Sequence, residues 1–439
     1  LNLFVMREAA RDRSQTRRLF INTSALRLIL ALVGVPLLIA FLGARQATGS
    51  EPLAANAILA IVLLYVGLAP NSLSTGLTAV YYAHEKAEIP AAVATVSTMC
   101  KAVFGLAALL LGYGFVGLAA ASILTNLITV AILWWNARDL LAPEPAPPAQ
   151  DTAPRALDFA LMRSMIGQSY PLMLNHFLAS IFFKIDVILI EVMHNATMVG
   201  QYSQAYKWVE AINIIPSFFT MALLPVMSRQ TREDHAAFRR TYALAVKLLV
   251  MVSLPLAVFF TVSAEFLTGV LAGPQFLPEG AIALQLMIWS IPIGWINSLT
   301  QYALIALDLQ RLITRAFVIG VTFNLVANFI FIPQYGFQAA AITTIFSELA
   351  LLIPFAVLMQ RSIGKIDWLD LVWRPLVATG AMLTVIVLGW TFAPLAALAV
   401  GVGVYLGVLV ALRPLSADER ARLAPLLPAR LRRLGTAAS

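Results

Sequence analysis

Two matching stretches, "YGFVGLAAASILTNL" (113–127) and "YGFQAAAITTIFSEL" (335–349), decide the fold that this sequence predicts. They are identical at six of fifteen positions, and their numbering differs by an offset of 222. A second pair, "VMREAARDRSQTRR" (5–18) and "VMSRQTREDHAAFRR" (226–240), matches at offsets of 221 to 222. Apolar segments can match by chance, but a constant offset at separate places indicates an internal duplication.

Two single residues extend the duplication. Arg27 corresponds to Lys247, and Pro36 corresponds to Pro255, after slips of one or two residues. Six predicted helices separate the two copies, so both copies cross a membrane in the same direction. The sequence therefore predicts two lobes related by an axis along the membrane normal.

The composition predicts an all-α polytopic membrane protein. Of 439 residues, 60% are hydrophobic and only 12% are charged, and the mean hydropathy is +0.84. Soluble domains are about half apolar and about a quarter charged. Apolar runs long enough to span a bilayer recur along the chain. They predict twelve spans, at 25–44, 55–82, 91–112, 115–136, 165–193, 201–227, 241–262, 280–306, 312–333, 336–360, 373–392 and 395–412.

The basic residues predict the orientation of these spans. Of the 30 Lys and Arg residues, 22 lie in alternate gaps, seven lie within the bounds of spans, and Arg45 lies on the opposite side. Lys and Arg near spans remain cytoplasmic, so both chain ends are predicted to be cytoplasmic. The net charge of +8 is thus explained by topology, and we expect no nucleic-acid partner.

Four segments follow from the repeat. Residues 1–141 are predicted as an N-terminal lobe, 142–163 as a Pro-rich cytoplasmic linker, 164–361 as a C-terminal lobe, and 362–439 as an extra helix pair with a basic tail. Symmetry also leads us to expect two further helices before Leu1, and hence fourteen in all. The alternative is a twelve-helix protein with an irregular start.

Ionisable residues inside the predicted spans are the candidate functional residues. The stretch "FKIDVILIEV" (183–192) contains three of them, although each costs about 2.5–3.5 kcal/mol at the centre of a membrane. Such residues usually face the interior of a helix bundle or a wet cavity. The full set is Lys184, Asp186, Glu191, Lys101, Lys207, Glu210, Lys247, Glu348, Arg27 and the neutral candidate His176.

Two of these residues point in different directions. Lys184 and Asp186 lie about 200° apart around their helix, since an α-helix has about 3.6 residues per turn. Lys184 is therefore the better candidate for binding an anionic group. The antiparallel neighbouring helix can supply two ion pairs, Asp186 with Lys207 and Lys184 with Glu210. Glu210 can also pair with Lys207 within one helix.

Most of the remaining candidate residues have two possible interpretations. Arg27 and Lys247 lie at equivalent cytoplasmic helix ends, where they either extend to the interface or form a basic entrance for an anionic head group. Lys101 is predicted to line a cavity. Glu348 either couples transport to protons or cations, or pairs with a lysine. His176 is either a satisfied interior histidine or a ligand contact.

Sequence motifs for enzymatic chemistry are missing. The chain contains no HExxH, GxSxG or P-loop pattern. The single cysteine, Cys100, excludes an intrachain disulfide framework, and the four histidines have no metal-ligand spacing. We therefore expect no cofactor, no metal and no enzymatic activity.

Several motifs carry a family resemblance. "KIDVILIEVMHNATMVGQYSQAYKWVE" (184–210), "LPVMSRQ" (224–230), "IPQYGFQAAAITTIFSE" (332–348) and "YYAHEKAEI" (81–89) resemble segments of bacterial polysaccharide flippases of the O-antigen type. That family belongs with the multidrug, oligosaccharidyl-lipid and polysaccharide exporters. The resemblance covers nearly the whole chain, and by position Lys184 and Asp186 match the family's basic residue and aspartate.

The resemblance implies a function. It implies transfer of a polyprenyl-pyrophosphate-linked oligosaccharide from the inner to the outer leaflet, with membrane lipids and polysaccharide polymerase or assembly proteins as partners. The alternatives are a drug or organic-cation antiporter, a flippase for a lipid-linked peptidoglycan precursor, and a membrane glycosyltransferase or polymerase. The last should show a large outer loop or a metal-binding carboxylate pair, and neither is visible.

Overall fold

The computed structural model describes residues 1–48, 53–86, 88–142, 157–416 and 418–420. Most of the predicted linker and of the basic C-terminal tail lie outside these residues. Within the described residues the chain forms fifteen α-helices, two short 3-10 helices and no β-strand. The α-helices are α1 (Asn2–Arg11), α2 (Thr16–Thr48), α3 (Ala55–Val66), α4 (Leu68–Ala83), α5 (Glu88–Leu110), α6 (Gly114–Ala137), α7 (Phe159–Met193), α8 (Ala196–Ile212), α9 (Ile214–Glu233), α10 (His235–Leu271), α11 (Glu279–Met287), α12 (Ser290–Ala306), α13 (Gln310–Ile363), α14 (Trp368–Gly389) and α15 (Pro394–Leu412).

These helices account for the predicted spans and establish the polytopic all-α fold. By length and composition, eight described helices can cross a membrane, or nine when the bent pair α11–α12 is counted as one span. The helix α13 has 54 residues and, at about 1.5 Å per residue, is far longer than a bilayer is thick, so it contains two spans. With α7 and α8–α9, which carry more ionisable residues, the helices coincide with all twelve predicted spans.

Three predicted spans are broken helices rather than continuous ones. The breaks follow Val66, Ile212 and Met287. Each lies four or five residues before a proline, Pro70, Pro216 or Pro292. Proline lacks the N–H that would bond the carbonyl four residues earlier, and its ring crowds that carbonyl. The proline explains where these helices break, although Pro36 and Pro255 are accommodated inside α2 and α10.

The duplication in the sequence recurs in the backbone conformation. Asp12 and Asp234, which are related by the offset of the repeat, are both extended (φ −141° and −156°), and each side chain caps the following helix through the N–H of Ser14 or Ala236. Two glycines related by the same offset, Gly114 and Gly336, have positive φ angles of 53° and 56°. The two copies therefore share local conformation as well as sequence.

Gly336 illustrates why this site requires glycine. With φ 56° and ψ −136° it occupies a region that is essentially restricted to glycine, and it kinks α13 between its two spans. A Cβ atom there would also lie 2.8 Å from the sulfur of Met198. A Cβ atom on Gly114 would meet nothing within 4 Å, so its positive φ is the whole constraint.

The chain divides into two compact units, Leu1–Met173 and Leu174–Ser439, with the division inside α7. In the first unit α4 and α6 pack against their neighbours around Leu77, Val80 and Leu133. In the second unit a larger core surrounds α10, α12 and α13. The predicted boundaries of the four segments remain a prediction.

Apolar side chains also cover much of the outer surface. Leu32 is 69% exposed and Leu37 is 73% exposed, both on α2. Such residues are stable on a surface that faces lipid, where apolar exposure carries no hydrophobic penalty. In the second unit, the α14–α15 pair packs on α10, and the hydroxyl of Tyr405 donates to the carbonyl of Met251.

Candidate functional site

A cluster of two lysines and a glutamate forms where α8 lies beside α7. Lys184 of α7 forms an ion pair with Glu210 of α8, as the sequence predicts. Lys207, one turn earlier on α8, pairs with the other oxygen of Glu210 at 3.0 Å. The cluster therefore carries a net charge of +1.

Tyr206 anchors this cluster. Its hydroxyl donates to the carbonyl of Phe183 at 2.6 Å, which joins α8 to the backbone of α7. The ammonium of Lys184 lies 4.4 Å from the centre of the Tyr206 ring, within the range of a cation–π interaction. The side chain of Lys184 remains 52% exposed and that of Lys207 77% exposed, so both are accessible to a ligand.

Asp186 occupies the opposite, buried face of α7. It accepts hydrogen bonds from the hydroxyl of Tyr202 and from the N–H of Val187. The predicted pairing of Asp186 with Lys207 is wrong. Lys207 faces Glu210 three residues ahead, and Tyr202 is the residue of α8 that faces the buried side of α7.

A cavity lined by both polar and apolar side chains lies next to the cluster, within the second unit. Its volume is about 240 Å³, and Tyr206 and Phe183 belong to its lining. Hydroxyl and amide side chains supply most of its polar surface. They are Asn213, Ser217, Ser290, Asn297, Ser298, Gln301 and Thr344.

Glu348 is the acidic residue of this cavity. It is 5% exposed and accepts a hydrogen bond from the side-chain amide of Asn297 at 2.7 Å. The same amide also donates to the Glu348 carbonyl at 2.8 Å. Gly294 permits the approach, because a Cβ atom there would lie 3.2 Å from the carboxylate. Among the described residues Glu348 has no lysine or arginine partner, so the predicted alternative of a lysine pair is not formed.

Two other predicted candidates, Lys247 and Arg27, neither line this cavity nor belong to the lysine cluster. Lys247 is buried and pairs with Glu419 at 2.9 Å. Arg27 donates to the carbonyl of Ser72 at 2.7 Å and to the side chain of Asn2. The two repeat-related residues are therefore both engaged by their own chain.

The remaining three candidates differ in their exposure. Lys101 on α5 is exposed and has no hydrogen-bond or ion-pair partner in the described part of the chain. His176 on α7 is also exposed, so its interpretation as a satisfied interior histidine is wrong. Glu191, near the end of α7, is half-buried.

Several residues of the site were not singled out from the sequence. Tyr206, Tyr202 and Asn297 are the partners of the charged residues, yet tyrosine and asparagine are common enough in helices to give no local signal. The i, i+4 spacing of Tyr202 and Tyr206 was the available clue, since it places two polar tips on one helix face.

Among the described residues, no three His, Cys, Asp or Glu side chains lie close enough to hold a metal ion. What the arrangement offers is exposed positive charge beside a cavity of neutral hydrogen-bonding groups and one buried carboxylate.

The fold is that of a known class of membrane transporter. It is similar to the lipid II flippase MurJ in its inward closed conformation, with a TM-score of 0.70, 12% identity, and 94% of this chain and 90% of that chain covered. It is also similar to an outward-facing multidrug resistance MATE family transporter of the MOP superfamily, with a TM-score of 0.54, 16% identity, and coverage of 82% and 81%. By their names, the first of these proteins is a flippase and the second is a transporter.

The sequence identifies the family. Residues 4–279 match the family of polysaccharide biosynthesis proteins, and the chain belongs to that family. It is also 23% identical over 226 residues to MJ1068, an uncharacterized membrane protein of Methanocaldococcus jannaschii. That alignment covers half of this chain and 43% of the relative. The chain is thus a multi-pass membrane protein of the polysaccharide biosynthesis family, and its fold is similar to those of the flippase and the transporter.

Proposed function

We propose that this protein transfers a polyprenyl-pyrophosphate-linked oligosaccharide from the inner to the outer leaflet during surface polysaccharide biosynthesis. The observation that carries the proposal is the exposed lysine pair of the Lys184–Glu210–Lys207 cluster beside a cavity of neutral polar side chains. Family membership supports the same substrate class.

The lysines suit the pyrophosphate. A pyrophosphate carries several negative charges, and moving it through a membrane is costly unless positive charge compensates. Glu210 holds both ammonium groups in place when the site is empty. A substrate phosphate would compete with Glu210 for the two lysines, so the pair binds an anion reversibly.

The adjoining cavity suits part of a glycan. Sugars present hydroxyl groups at their edges and C–H groups on their faces. Asn213, Ser217 and Gln301 supply hydrogen-bonding groups, while Tyr206 and Trp295 supply aromatic surface. At about 240 Å³ the cavity is smaller than a typical drug-sized pocket, which limits it to a small portion of the substrate.

Alternating access is the mechanism that we propose for the transfer. The division of the chain into two compact units supports movement of one unit against the other. We further propose that the protein lies in a bacterial cytoplasmic membrane with both ends cytoplasmic, and that polysaccharide polymerase or assembly proteins receive its product.

One observation favours a second candidate, an organic-cation antiporter. Glu348 is a buried carboxylate in the cavity whose described side-chain partner is a neutral amide. A cation or a proton at that carboxylate would offset its desolvation. In the flippase, the same group would couple transfer to an ion gradient.

The test is leaflet translocation in proteoliposomes. A fluorescent polyprenyl-pyrophosphate glycan is incorporated, and its exposure is followed with a membrane-impermeant quencher, with and without proton and sodium gradients. Translocation that exceeds that of protein-free vesicles is the expected result. Uptake of an organic cation without translocation of the glycan would favour the antiporter. Transfer of a lipid-linked peptidoglycan precursor in preference to the glycan would assign that substrate instead.

A further inference from the structure

A second basic cavity lies in the second unit, at the end of α10 and α14 that the basic residues mark as cytoplasmic. The chain after α15 turns back toward these helices, since Arg413 adopts a left-handed conformation with φ 46°. Ser416 and Glu419 then cap each other, with Ser416 N–H 2.7 Å from the Glu419 carboxylate and Glu419 N–H 3.2 Å from the Ser416 hydroxyl. The returning segment encloses a cavity of about 440 Å³.

The positive and negative charges that line this cavity do not cancel. Four are basic and two are acidic, and these six are Lys247, Arg374, Arg413, Arg420, Asp370 and Glu419. Both carboxylates are already engaged. The Glu419 carboxylate lies 2.9 Å from the ammonium of Lys247, and that of Asp370 lies 3.7 Å from Arg374.

Two arginines remain without a counter-charge. Arg413 and Arg420 are exposed, and neither side chain has an ion-pair partner among the described residues. The Nε atom of Arg374 is buried and has no hydrogen-bond partner in the described part of the chain. Asp418, on the same segment, does not line the cavity.

An apolar cavity adjoins the basic one. Its volume is about 220 Å³, and it shares Arg413, Pro414, Leu415 and Arg420 with the basic cavity. Its remaining walls are the aliphatic side chains of Met251, Leu409 and Val410. A ligand that fits both cavities has an anionic group beside a hydrocarbon chain.

We propose that this pair of cavities binds an anionic phospholipid of the inner leaflet. The phosphate lies against Arg374, Arg413 and Arg420, and an acyl chain occupies the apolar cavity. Basic pockets between helices on the cytoplasmic side are a known means of binding anionic head groups. Glu419 already pairs with Lys247, so the lipid adds to the folded segment rather than displacing it.

Lipid retention by the purified full chain tests this proposal. Native mass spectrometry compares phosphatidylglycerol with phosphatidylcholine of the same acyl chains, and a parallel arm adds inorganic phosphate. We expect preferential retention of phosphatidylglycerol. The double variant Arg413→Gln with Arg420→Gln should reduce that preference about 30-fold, since each basic residue near an anionic surface contributes about fivefold.

Matched variants distinguish lipid binding at this site from a general effect of positive charge on the protein surface. Arg361→Gln removes an exposed positive charge that does not line either cavity, and it should leave the preference unchanged. Replacing Arg413 and Arg420 by lysine should restore most of the binding. Equal retention of both lipids, an unaffected double variant, or competition by millimolar inorganic phosphate would each overturn the assignment to a phospholipid.

Discussion

The substitution Lys184→Ala tests the basic cluster directly. It removes one of two ammonium groups beside Glu210 and changes the net charge of the cluster from +1 to zero. If the cluster binds the pyrophosphate, transport should fall because substrate affinity falls.

The size of the effect follows from the exposure of the lysine. Two unit charges about 4 Å apart interact by about 1 kcal/mol in water and about 4 kcal/mol near a protein surface of low effective dielectric. Lys184 is 52% exposed and shares Glu210 with Lys207, so we place the effect toward the lower end of that range. We expect a loss of about 1–2 kcal/mol, which is about 5- to 30-fold in transport at subsaturating substrate.

The same substitution should leave the fold intact. An exposed ion pair contributes about 0.2–1 kcal/mol to stability. Glu210 also retains its 3.0 Å contact with Lys207. The amount of monodisperse protein in detergent, and its thermal midpoint, should therefore be close to those of the wild type.

Two further variants make the test specific. Glu210→Gln raises the cluster charge by one and should shift transport at low substrate in the direction opposite to Lys184→Ala. Lys184→Arg keeps the charge and should retain most of the activity. The electrostatic reasoning is refuted if the alanine and glutamine variants change translocation in the same direction. It is also refuted if Lys184→Ala reduces transport only in proportion to lost protein.

Three other predictions concern the fold. Tyr202→Phe leaves the buried Asp186 carboxylate with one hydrogen bond fewer, so the free energy of unfolding should fall by about 1.5–3 kcal/mol, measured by thermal or denaturant unfolding. An unchanged stability would contradict the contact. Gly336→Ala should destabilise more than Gly114→Ala, because both have positive φ but only Gly336 has a side chain within 4 Å; equal losses would show that the close contact has no effect. Backbone N–H bonding and a neighbouring guanidinium hold the pKa of Asp158, which lies just before α7, below its usual range. A lowered folded pKa stabilises above the unfolded pKa of about 3.9, so the thermal midpoint should decline as pH falls below about 4, and Asp158→Asn should weaken that decline.

The sequence by itself determined the all-α membrane fold and its duplication. Burial in lipid requires long apolar helices, so composition and run length are sufficient to locate the spans. The repeat could also be detected from the sequence. Positions with a positive φ angle favour glycine, so both copies keep a glycine at this position, Gly114 in one and Gly336 in the other. The pair Lys184–Glu210 was predictable because a short turn fixes the register of two adjacent antiparallel helices.

Only the tertiary structure decided the partners of the remaining charged residues. Glu348 contacts Asn297, and Lys247 contacts Glu419, across 51 and 172 residues of sequence. Helical periodicity indicates on which face of its helix a residue lies, but it does not indicate which other helix packs against that face. The partner of a buried charge depends on how helices distant in sequence pack, and that packing is set by the whole core.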